Sequence, residues 1–322
     1  AVALVYARAR RHAIGAGSDR IRSELHPELT VGGQSGENGK RFGMKHTDSP
    51  PPPLPEDGLE SPFSVADRMR HQQTVEMVRK ALDERRALLA FQPVVQSRMT
   101  NRAAFYEAFI RILDDQGRVI PARDFMGAVE TSEIGRRIDC LALDLGLAAL
   151  AREPSIRLAV NMSARSIGYP SWLMTLERGL RADPSVAERL ILEITESSAM
   201  LMPDLVTVFM ADMQARGICF ALDDFGAGYT AFRYLKDFYF DIIKIDGQFV
   251  RGVSRDPDNQ VLVQALVSIA RHFDMVTVAE SVETLEDARY LVDIGVDCLQ
   301  GYFYGIPSTE APWLASKLAR SG

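Results

Sequence analysis

The sequence predicts an α/β protein built as a (β/α)8 TIM-like barrel, with a flexible segment before it. From about residue 87 onward, eight short apolar runs have the length and composition of buried strands. Segments with apolar residues at helical spacing lie between most of these runs. Buried strands that alternate with helices are typical of a sheet covered by helices. A doubly wound open sheet is the alternative, and the lack of GxGxxG after the first strand makes it less favourable.

The strand-like runs are, in chain order, LLAFQPVV, AAFYEAFI, RLAVNMS, RLILEITES, ICFALDDF, DIIKIDGQF, MVTVAESV and DCLQGYFYG. The predicted helices between them are RRIDCLALDLGLAALA, SWLMTLERGLRA, PDLVTVFMADMQARG, DNQVLVQALVSIARHF and LEDARYLVDIG. Pro203 lies near the start of one helix, and Gly217 and Gly295 lie near the ends of two, as is usual for helix termini. We therefore expect the barrel to occupy residues 87–318.

Residues 1–45 are interpreted as a poorly ordered tail or the remnant of an upstream region. Their start, AVALVYARARRH, places apolar residues before three arginines. This order fits the cytoplasmic end of a membrane helix that is mostly absent, or the last amphipathic helix of a missing domain. It is shorter than the roughly 20 apolar residues that span a bilayer. We expect a cytoplasmic location, either free or as the cytoplasmic part of a membrane-tethered protein.

Residues 46–62 are predicted to form a linker because Pro50–Pro53 and Pro55 favour an extended spacer. Their PxxP-like content is alternatively a docking motif. Residues 63–86 carry apolar residues near helical spacing, which predicts a lead-in helix to the barrel.

The formal net charge of −6 gives no overall attraction for polyanions, and we expect no binding to DNA. The three cysteines form no CxxC pair and are expected to be buried free thiols. The five histidines show no HxH or HExxH spacing, which argues against a histidine-ligated metal.

Polar residues interrupt seven of the eight apolar runs, usually toward the C-terminal part of the run. Barrels of this class carry their chemistry at the carboxyl ends of the strands, so these side chains should surround one centre. They are Glu107, Asn161, Glu193, Glu196, Asp223, Asp224, Lys244, Glu280, Glu283 and Gln300.

Asp223 and Asp224 are adjacent, although neighbours in a pleated strand point to opposite faces. We therefore expect the strand to stop there, so that both carboxylates turn toward a common cation. Several carboxylates in a partly buried space repel one another unless cations neutralise them. An all-oxygen set favours Mg²⁺ or Mn²⁺, and the adjacent pair favours two ions.

A centre with two ions fits displacement at phosphorus, in which Lys244 holds water or offsets phosphoryl charge. The competing chemistry is enolisation, in which carboxylates bind Mg²⁺ and a lysine removes a proton. The residues by themselves leave both reactions open.

From about Leu88 to the C-terminus, the chain resembles the EAL domain family of cyclic-di-GMP-specific phosphodiesterases. The signature Glu-Ala-Leu-x-Arg appears as EAFIR at residues 107–111. The other family-like motifs follow in family order: FQPVV, IPARDF, NMS, LEITE, LDDFGAGY, IKIDGQFV, AESVE and LQGYFYGIP. The resemblance implies hydrolysis of cyclic di-GMP to linear pGpG in bacterial second-messenger signalling. It also implies a barrel with one antiparallel strand and a homodimer that pairs through the barrel. An upstream sensory or membrane region would regulate the domain.

The resemblance also implies roles for individual residues. The first ion would be held by Glu107, Asn161, Glu193 and Asp223. Asp223 would bridge to a second ion, held also by Asp224 and Glu280. Lys244 would position the attacking water, and Gln300 would bond ordered water or ligand near the ions. Gln92 and Arg111 would contact the nucleotide, and Glu196 and Glu283 would steady the loop after Asp224.

Two departures from the family pattern bear on activity. Phe109 replaces the signature leucine, and Ser281 replaces a glycine next to the proposed ligand Glu280. If position 281 requires a positive φ, serine costs about 1 kcal/mol or more there. Neither departure removes a proposed ligand. The alternative is a catalytically weak or inactive EAL-type receptor for cyclic di-GMP, or an interaction module.

Overall fold

A computed structural model describes residues 62–227 and 235–313 of the protein. The strands in these residues are β1 (Ala87–Gln96), β2 (Met99–Leu113), β3 (Val119–Pro121), β4 (Leu158–Asn161), β5 (Leu190–Thr195), β6 (Cys219–Phe225), β7 (Ile242–Ile245), β8 (Val276–Ala279) and β9 (Cys298–Gln300). The α-helices are α1 (Pro62–Asp83), α2 (Met126–Val129), α3 (Glu133–Arg152), α4 (Pro170–Ala182), α5 (Glu196–Ala199), α6 (Pro203–Ala215), α7 (Gly247–Val250), α8 (Pro257–His272) and α9 (Leu285–Asp293). The predicted tail, most of the predicted linker and residues 314–318 of the predicted barrel lie outside the described residues.

Eight of the strands close into a barrel, as the sequence predicts. The order is β1-β9-β8-β7-β6-β5-β4-β2, and β1 pairs back onto β2 to complete the ring. β1 runs antiparallel to both of its neighbours, while β2 and β4 to β9 run parallel to one another. The short β3 adds to the outer edge of β2. The (β/α)8 fold with one antiparallel strand is therefore confirmed.

The longer helices outside the barrel bury apolar side chains against the strands or against neighbouring helices. Trp172 on α4 contacts Phe209 on α6, which contacts Phe220 on β6, with ring centroids 5.6 and 5.9 Å apart. Such edge-on aromatic pairs add about 0.5–1.5 kcal/mol beyond the burial of their area. Within residues 62–227 and 235–313, no helix is both long and apolar enough to cross a membrane.

Helix α1 leads directly into the first barrel strand. Its last turns are anchored by buried Val78, Ala81 and Leu82, whereas most residues of its first half are exposed. Asp83 at the end of α1 accepts a hydrogen bond from Arg137 on α3 at 2.5 Å. The helix is thus fixed to the barrel at its C-terminal end, where β1 begins.

The inside of the barrel is filled by an apolar layer to which all eight barrel strands contribute. It comprises Val94, Ala104, Phe105, Ala159, Ile191, Cys219, Ala221, Ile242, Val276, Val278 and Cys298. Cys219 and Cys298 are buried free thiols as expected, but Cys140 on α3 is partly exposed, because it faces the surface between helices and not the barrel interior. The apolar layer occupies the end of the barrel opposite the carboxyl ends of the parallel strands.

Candidate active site

A polar layer lies next to the apolar layer, two residues closer to the carboxyl ends of the parallel strands. Side chains two apart in a strand share a face, so each parallel strand that gives an inward apolar residue next gives an inward polar one. The pairs are Phe105 and Glu107, Ala159 and Asn161, Ile191 and Glu193, Ala221 and Asp223, Ile242 and Lys244, Val278 and Glu280, and Cys298 and Gln300. In the antiparallel β1 the direction reverses, and Gln92 follows Val94 into the polar layer opposite Glu107.

Lys244 lies at the centre of the polar layer and is almost completely buried. Its Nζ is 2.7 Å from Glu280 Oε1, 2.8 Å from Asp223 Oδ1, 3.0 Å from Glu107 Oε2 and 3.4 Å from Glu193 Oε2. Four strands that are far apart in sequence therefore bring their carboxylates to one ammonium group.

The carboxylates form two groups that share one residue. Glu107, Glu193 and Asp223 offer oxygen atoms that all lie within 4.8 Å of one another, and so do Asp223, Asp224 and Glu280. Asn161 extends the first group, since its Nδ2 donates to Glu107 Oε1 at 3.1 Å. The shared position of Asp223 is what a residue bridging two cations requires.

A bulge in β6 brings the two adjacent aspartates to the same centre. Leu222 pairs with Ile243 and Phe225 with Ile245, so β6 contains one residue more than β7 across this interval. Asp224 takes up the irregularity with a φ of 54°, in the left-handed region. The expectation that the strand stops at the aspartates is wrong: β6 continues to Phe225, and the bulge turns the second carboxylate.

The pKa values of the first group are pushed in opposite directions. Burial tends to raise the pKa of Glu107, but Lys244 and hydrogen bonds from Gln300 and other neighbours outweigh it and lower the pKa. For Glu193, burial and the charge of Glu107 dominate and raise the pKa well above its usual range. Crowding therefore disfavours ionisation of Glu193, whereas Lys244 and the hydrogen-bond donors favour ionisation of Glu107.

In the second group, burial and neighbouring charges raise the pKa values of two carboxylates, Asp224 and Glu280. Burial raises the pKa of Glu280 to about 8, although Lys244 opposes the shift. Burial, followed by the charges of Asp223 and Asp246, raises the pKa of Asp224 to about 6. For Lys244, burial alone would lower the pKa, but the four surrounding carboxylates raise it well above its usual value. The carboxylates around the lysine thus favour its charged form.

Unsatisfied oxygen atoms in the polar layer fit the cation site that the sequence predicts. Among the described residues, no donor forms a hydrogen bond to Glu193 Oε1, Asp223 Oδ1 or Gln300 Oε1, although all three atoms are buried. Asp223 Oδ1 lies close to Lys244 Nζ, but as an ion pair without hydrogen-bond geometry. Orphaned buried acceptors are costly unless another group binds them, and hard cations prefer oxygen ligands.

Gln92 and Gln300 form an amide chain across the closing edge of the barrel. Gln300 Nε2 donates to Glu107 Oε2 at 2.7 Å and to Gln92 Oε1 at 3.1 Å, while Gln92 Nε2 donates to the carbonyl oxygen of Gly305 at 2.9 Å. Both side chains are buried and orient Glu107. Their predicted contacts with nucleotide and water stay predictions.

Arg111 lies on the same face of β2 as Glu107, four residues further toward the carboxyl end. Its guanidinium carbon is 5.6 Å from the centre of the Phe109 ring, and its Nη1 donates to the carbonyl oxygen of Ile110 at 3.0 Å. Phe109 thus supports the arginine through a cation–π contact.

The two glutamates predicted to steady the loop after Asp224 differ in their contacts. Glu196, at the start of α5, is buried and accepts a hydrogen bond from the backbone N–H of Gly226 at 3.1 Å. Glu283 is exposed, and its nearest described charge is Arg251 at 3.6 Å. Residues 228–234 of this loop lie outside the described residues, so the role of Glu283 stays a prediction.

Ser281 has a φ of 53°, which meets the condition for strain stated above. A side chain in the left-handed region costs about 1–2 kcal/mol. Glu280 nevertheless keeps its place 2.7 Å from Lys244.

Two carboxylates near the site were not singled out from the sequence. Asp246 follows Lys244 by two residues, caps α7 by accepting from Gln248 N at 2.6 Å, and raises the pKa of Asp224. Asp139, buried on α3, accepts from Ser163 N at 3.0 Å and Ser166 Oγ at 2.6 Å, which holds the turn after Asn161. The motif IKID contained a signal for Asp246, but nothing in the helical pattern around Asp139 indicated a partner in a distant turn.

Comparison with known proteins finds one matching family, together with curated relatives and solved structures that resemble the chain. The family described as "EAL domain" matches residues 75–307. The bifunctional diguanylate cyclase/cyclic di-GMP phosphodiesterase MucR of Pseudomonas aeruginosa is 30% identical over 244 residues, which cover 74% of this chain and 36% of MucR. The chain spans 31–36% of the length of the first curated relatives that it matches.

Solved structures resemble the barrel over most of their own length. The PaMucR phosphodiesterase in complex with c-di-GMP has a TM-score of 0.64 and 30% identity, and the match covers 73% of this chain and 97% of that one. The FimX EAL domain from Pseudomonas aeruginosa bound to c-di-GMP has a TM-score of 0.67 and 25% identity, with coverage of 73% and 96%.

Proposed function

Because the chain belongs to the EAL domain family, whose curated members include cyclic di-GMP phosphodiesterases, we propose that it hydrolyses cyclic di-GMP to linear pGpG. The observation that carries the proposal is the polar layer together with Asp224, which between them contain the residues predicted as ligands. Glu107, Glu193, Asp223, Asp224 and Glu280 reach one centre with Lys244. A carboxylate ring of this kind is costly to fold unless it serves a bound cation.

We propose that two divalent ions, Mg²⁺ or Mn²⁺, occupy this centre. Five ionised carboxylates and one ammonium carry a formal charge of −4, which two divalent cations would neutralise. Glu107, Asn161, Glu193 and Asp223 would hold the first ion, and Asp223, Asp224 and Glu280 the second. When bound, such ions activate water near neutral pH and stabilise the attacking and leaving oxygens of a phosphodiester.

Lys244 supports phosphodiester hydrolysis over enolisation. A lysine that removes a proton from carbon needs a lowered pKa, so that it is unprotonated near neutral pH. In the ion-free chain, burial tends to lower the pKa of Lys244, but its four carboxylate neighbours outweigh burial and raise it, which favours the charged amine. A charged ammonium suits the predicted role, in which it donates to the attacking water and offsets phosphoryl charge.

Arg111 is proposed to contact the nucleotide. Its planar guanidinium suits a pair of phosphate oxygens and has a cation–π contact with the Phe109 ring. Gln92 is proposed to act with Gln300, whose Oε1 has no hydrogen-bond donor among the described residues and is free for an ordered water or the ligand.

A receptor that binds cyclic di-GMP without cutting it is the second candidate, and the strained Ser281 next to Glu280 is the observation that favours it. Pairing through the barrel as a homodimer, an upstream sensory or membrane region, and a cytoplasmic location also stay proposals.

The test is incubation of the purified chain with cyclic di-GMP and either Mg²⁺ or Mn²⁺, followed by chromatography of the products. We expect pGpG to accumulate and EDTA to stop the reaction. Tight binding of cyclic di-GMP without any pGpG after long incubation would favour the receptor and contradict the proposed hydrolysis.

A further inference from the structure

The turn that follows β8 holds Glu280 between two fixed points of the backbone. The N–H of Glu280 donates to the carbonyl oxygen of Ile245 on β7 at 3.2 Å, and the N–H of Val282 donates to that of Gln300 on β9 at 2.9 Å. The chain therefore changes partner strand within two residues. Ser281, between them, makes this change with a φ of 53°.

The Ser281 side chain lies against the first residue of α7. A Cβ atom added at Gly247 would lie 2.6 Å from Ser281 Cβ and 2.3 Å from Ser281 Oγ, so only glycine fits there. Gly247 follows Lys244 by three residues. The serine thus joins the segment that carries Lys244 to the segment that carries Glu280.

Arg251 completes this contact from the residue after α7. Its Nη2 donates to Ser281 Oγ at 3.0 Å, and its backbone N–H donates to the carbonyl oxygen of Gly247 at 3.0 Å. Its Nε is 3.6 Å from Glu283 Oε1, but both of these side chains are more than half exposed, so this ion pair contributes little. The hydrogen bond to Ser281 is the contact that bears on the site.

We infer that Arg251 is a positioning residue that acts through Ser281 to hold Glu280 toward Lys244 and Asp223. The inference rests on the proposed function, in which Glu280 binds the second cation. None of the ion pairs or hydrogen bonds of Arg251 among the described residues involves Glu107, Glu193, Asp223, Asp224 or Glu280, and its contact nearest to them is the bond to Ser281. A serine in the left-handed region is held by this bond and by its packing on Gly247.

The test is a titration of the full chain with Mn²⁺ alone, followed by calorimetry, in wild type and in Arg251→Met and Ser281→Ala variants. Methionine keeps most of the side-chain length but has no donor, and alanine keeps the Cβ on Gly247 but has no acceptor. Partners that orient a metal ligand typically contribute 10–100-fold to metal affinity, and we expect about 10-fold weaker binding of one ion in each variant. The double variant should bind no more weakly than either single variant, because both remove the same bond.

Two controls separate this role from a general effect of losing an arginine. Arg255→Met makes the same change at an exposed arginine four residues further on and should leave Mn²⁺ affinity unchanged. Arg251→Lys restores a donor and should recover most of the affinity. With cyclic di-GMP, Arg251→Met should lower kcat and leave KM within about twofold, because the nucleotide contacts are untouched.

The results distinguish this inference from the proposed function. If wild type binds Mn²⁺ but forms no pGpG, while Arg251→Met and Ser281→Ala weaken Mn²⁺ binding, hydrolysis fails and the positioning role stands. If wild type forms pGpG and both variants bind Mn²⁺ as tightly as Arg255→Met, the positioning role is overturned and hydrolysis stands. A wild-type chain that binds no Mn²⁺ would overturn the positioning role, and product formation with Mg²⁺ would then decide hydrolysis separately.

Discussion

The apolar layer and the polar layer of the barrel interior lie two residues apart on the same strands, yet they are held together differently. In the apolar layer, Ile191, Ile242 and Val276 bury their surface against one another, and burial of such a side chain contributes about 1.5–3 kcal/mol. In the polar layer, four carboxylates surround a single ammonium and three buried acceptor atoms have no hydrogen-bond donor among the described residues. The apolar layer therefore stabilises the fold by burial alone, whereas the polar layer carries an electrostatic cost that the proposed cations would offset.

The largest expected effect comes from removing a carboxylate at the centre of the polar layer. Glu107→Ala should lower kcat/KM for cyclic di-GMP by on the order of 10³-fold or more, because a ligand of the first ion and a partner of Lys244 are both lost. The fold should persist, since the apolar layer beneath is unchanged. Product chromatography measures the first effect and circular dichroism the second. Activity within tenfold of wild type would show that the ligand assignment is wrong.

A matching change in the apolar layer should reverse this pattern. Ile242→Ala, two residues before Lys244, should lower the free energy of unfolding by about 3 kcal/mol, through lost burial and the cavity left behind. Urea denaturation measures the loss. Per folded molecule, kcat should stay within severalfold of wild type. An unchanged unfolding midpoint would mean that this layer does not carry the stability assigned to it.

A smaller effect should appear as a pH dependence of the metal-free protein. The pKa of Glu280 is about 8 in the folded chain, above its ordinary value of 4.5, so the folded state binds this proton more tightly than the unfolded state. The stability that this proton provides is present below about pH 4.5 and is lost as the pH rises toward 8. Thermal melts in EDTA should therefore show a falling melting temperature across this window, and Glu280→Gln should flatten the fall.

Addition of Mn²⁺ should oppose the same fall, because the cation replaces the proton on the carboxylate. Identical pH profiles for wild type and Glu280→Gln would contradict the electrostatic description of the polar layer.

Most residues of both layers can be read from the sequence, because side chains alternate between the two faces of a strand and this alternation is a local property. Glu107, Asn161 and Glu193 could each be found as a polar residue near the carboxyl end of an apolar run. The position of Gln92 needed more, since only the antiparallel direction of β1 places a residue from the middle of that strand beside Gln300. The direction of a strand relative to its neighbours is set by the closed sheet and cannot be read from the apolar run that forms the strand.

Other features depended on contacts between distant segments. The left-handed φ of Asp224 follows from one extra residue in β6 relative to β7, which the motif ALDDF does not specify. The contact of Arg251 with Ser281 joins residues 30 positions apart. From the sequence, strain at Ser281 could be stated only as dependent on a positive φ at that position. Asp139 was missed for the same reason, since its partners lie beyond the next strand.

The most direct test of the central claim is anomalous diffraction from a crystal of the protein grown with Mn²⁺. We expect two manganese peaks, one beside Glu107, Asn161 and Glu193 and the other beside Asp224 and Glu280, with Asp223 between them. Diffraction that shows no manganese among these side chains would contradict this expectation.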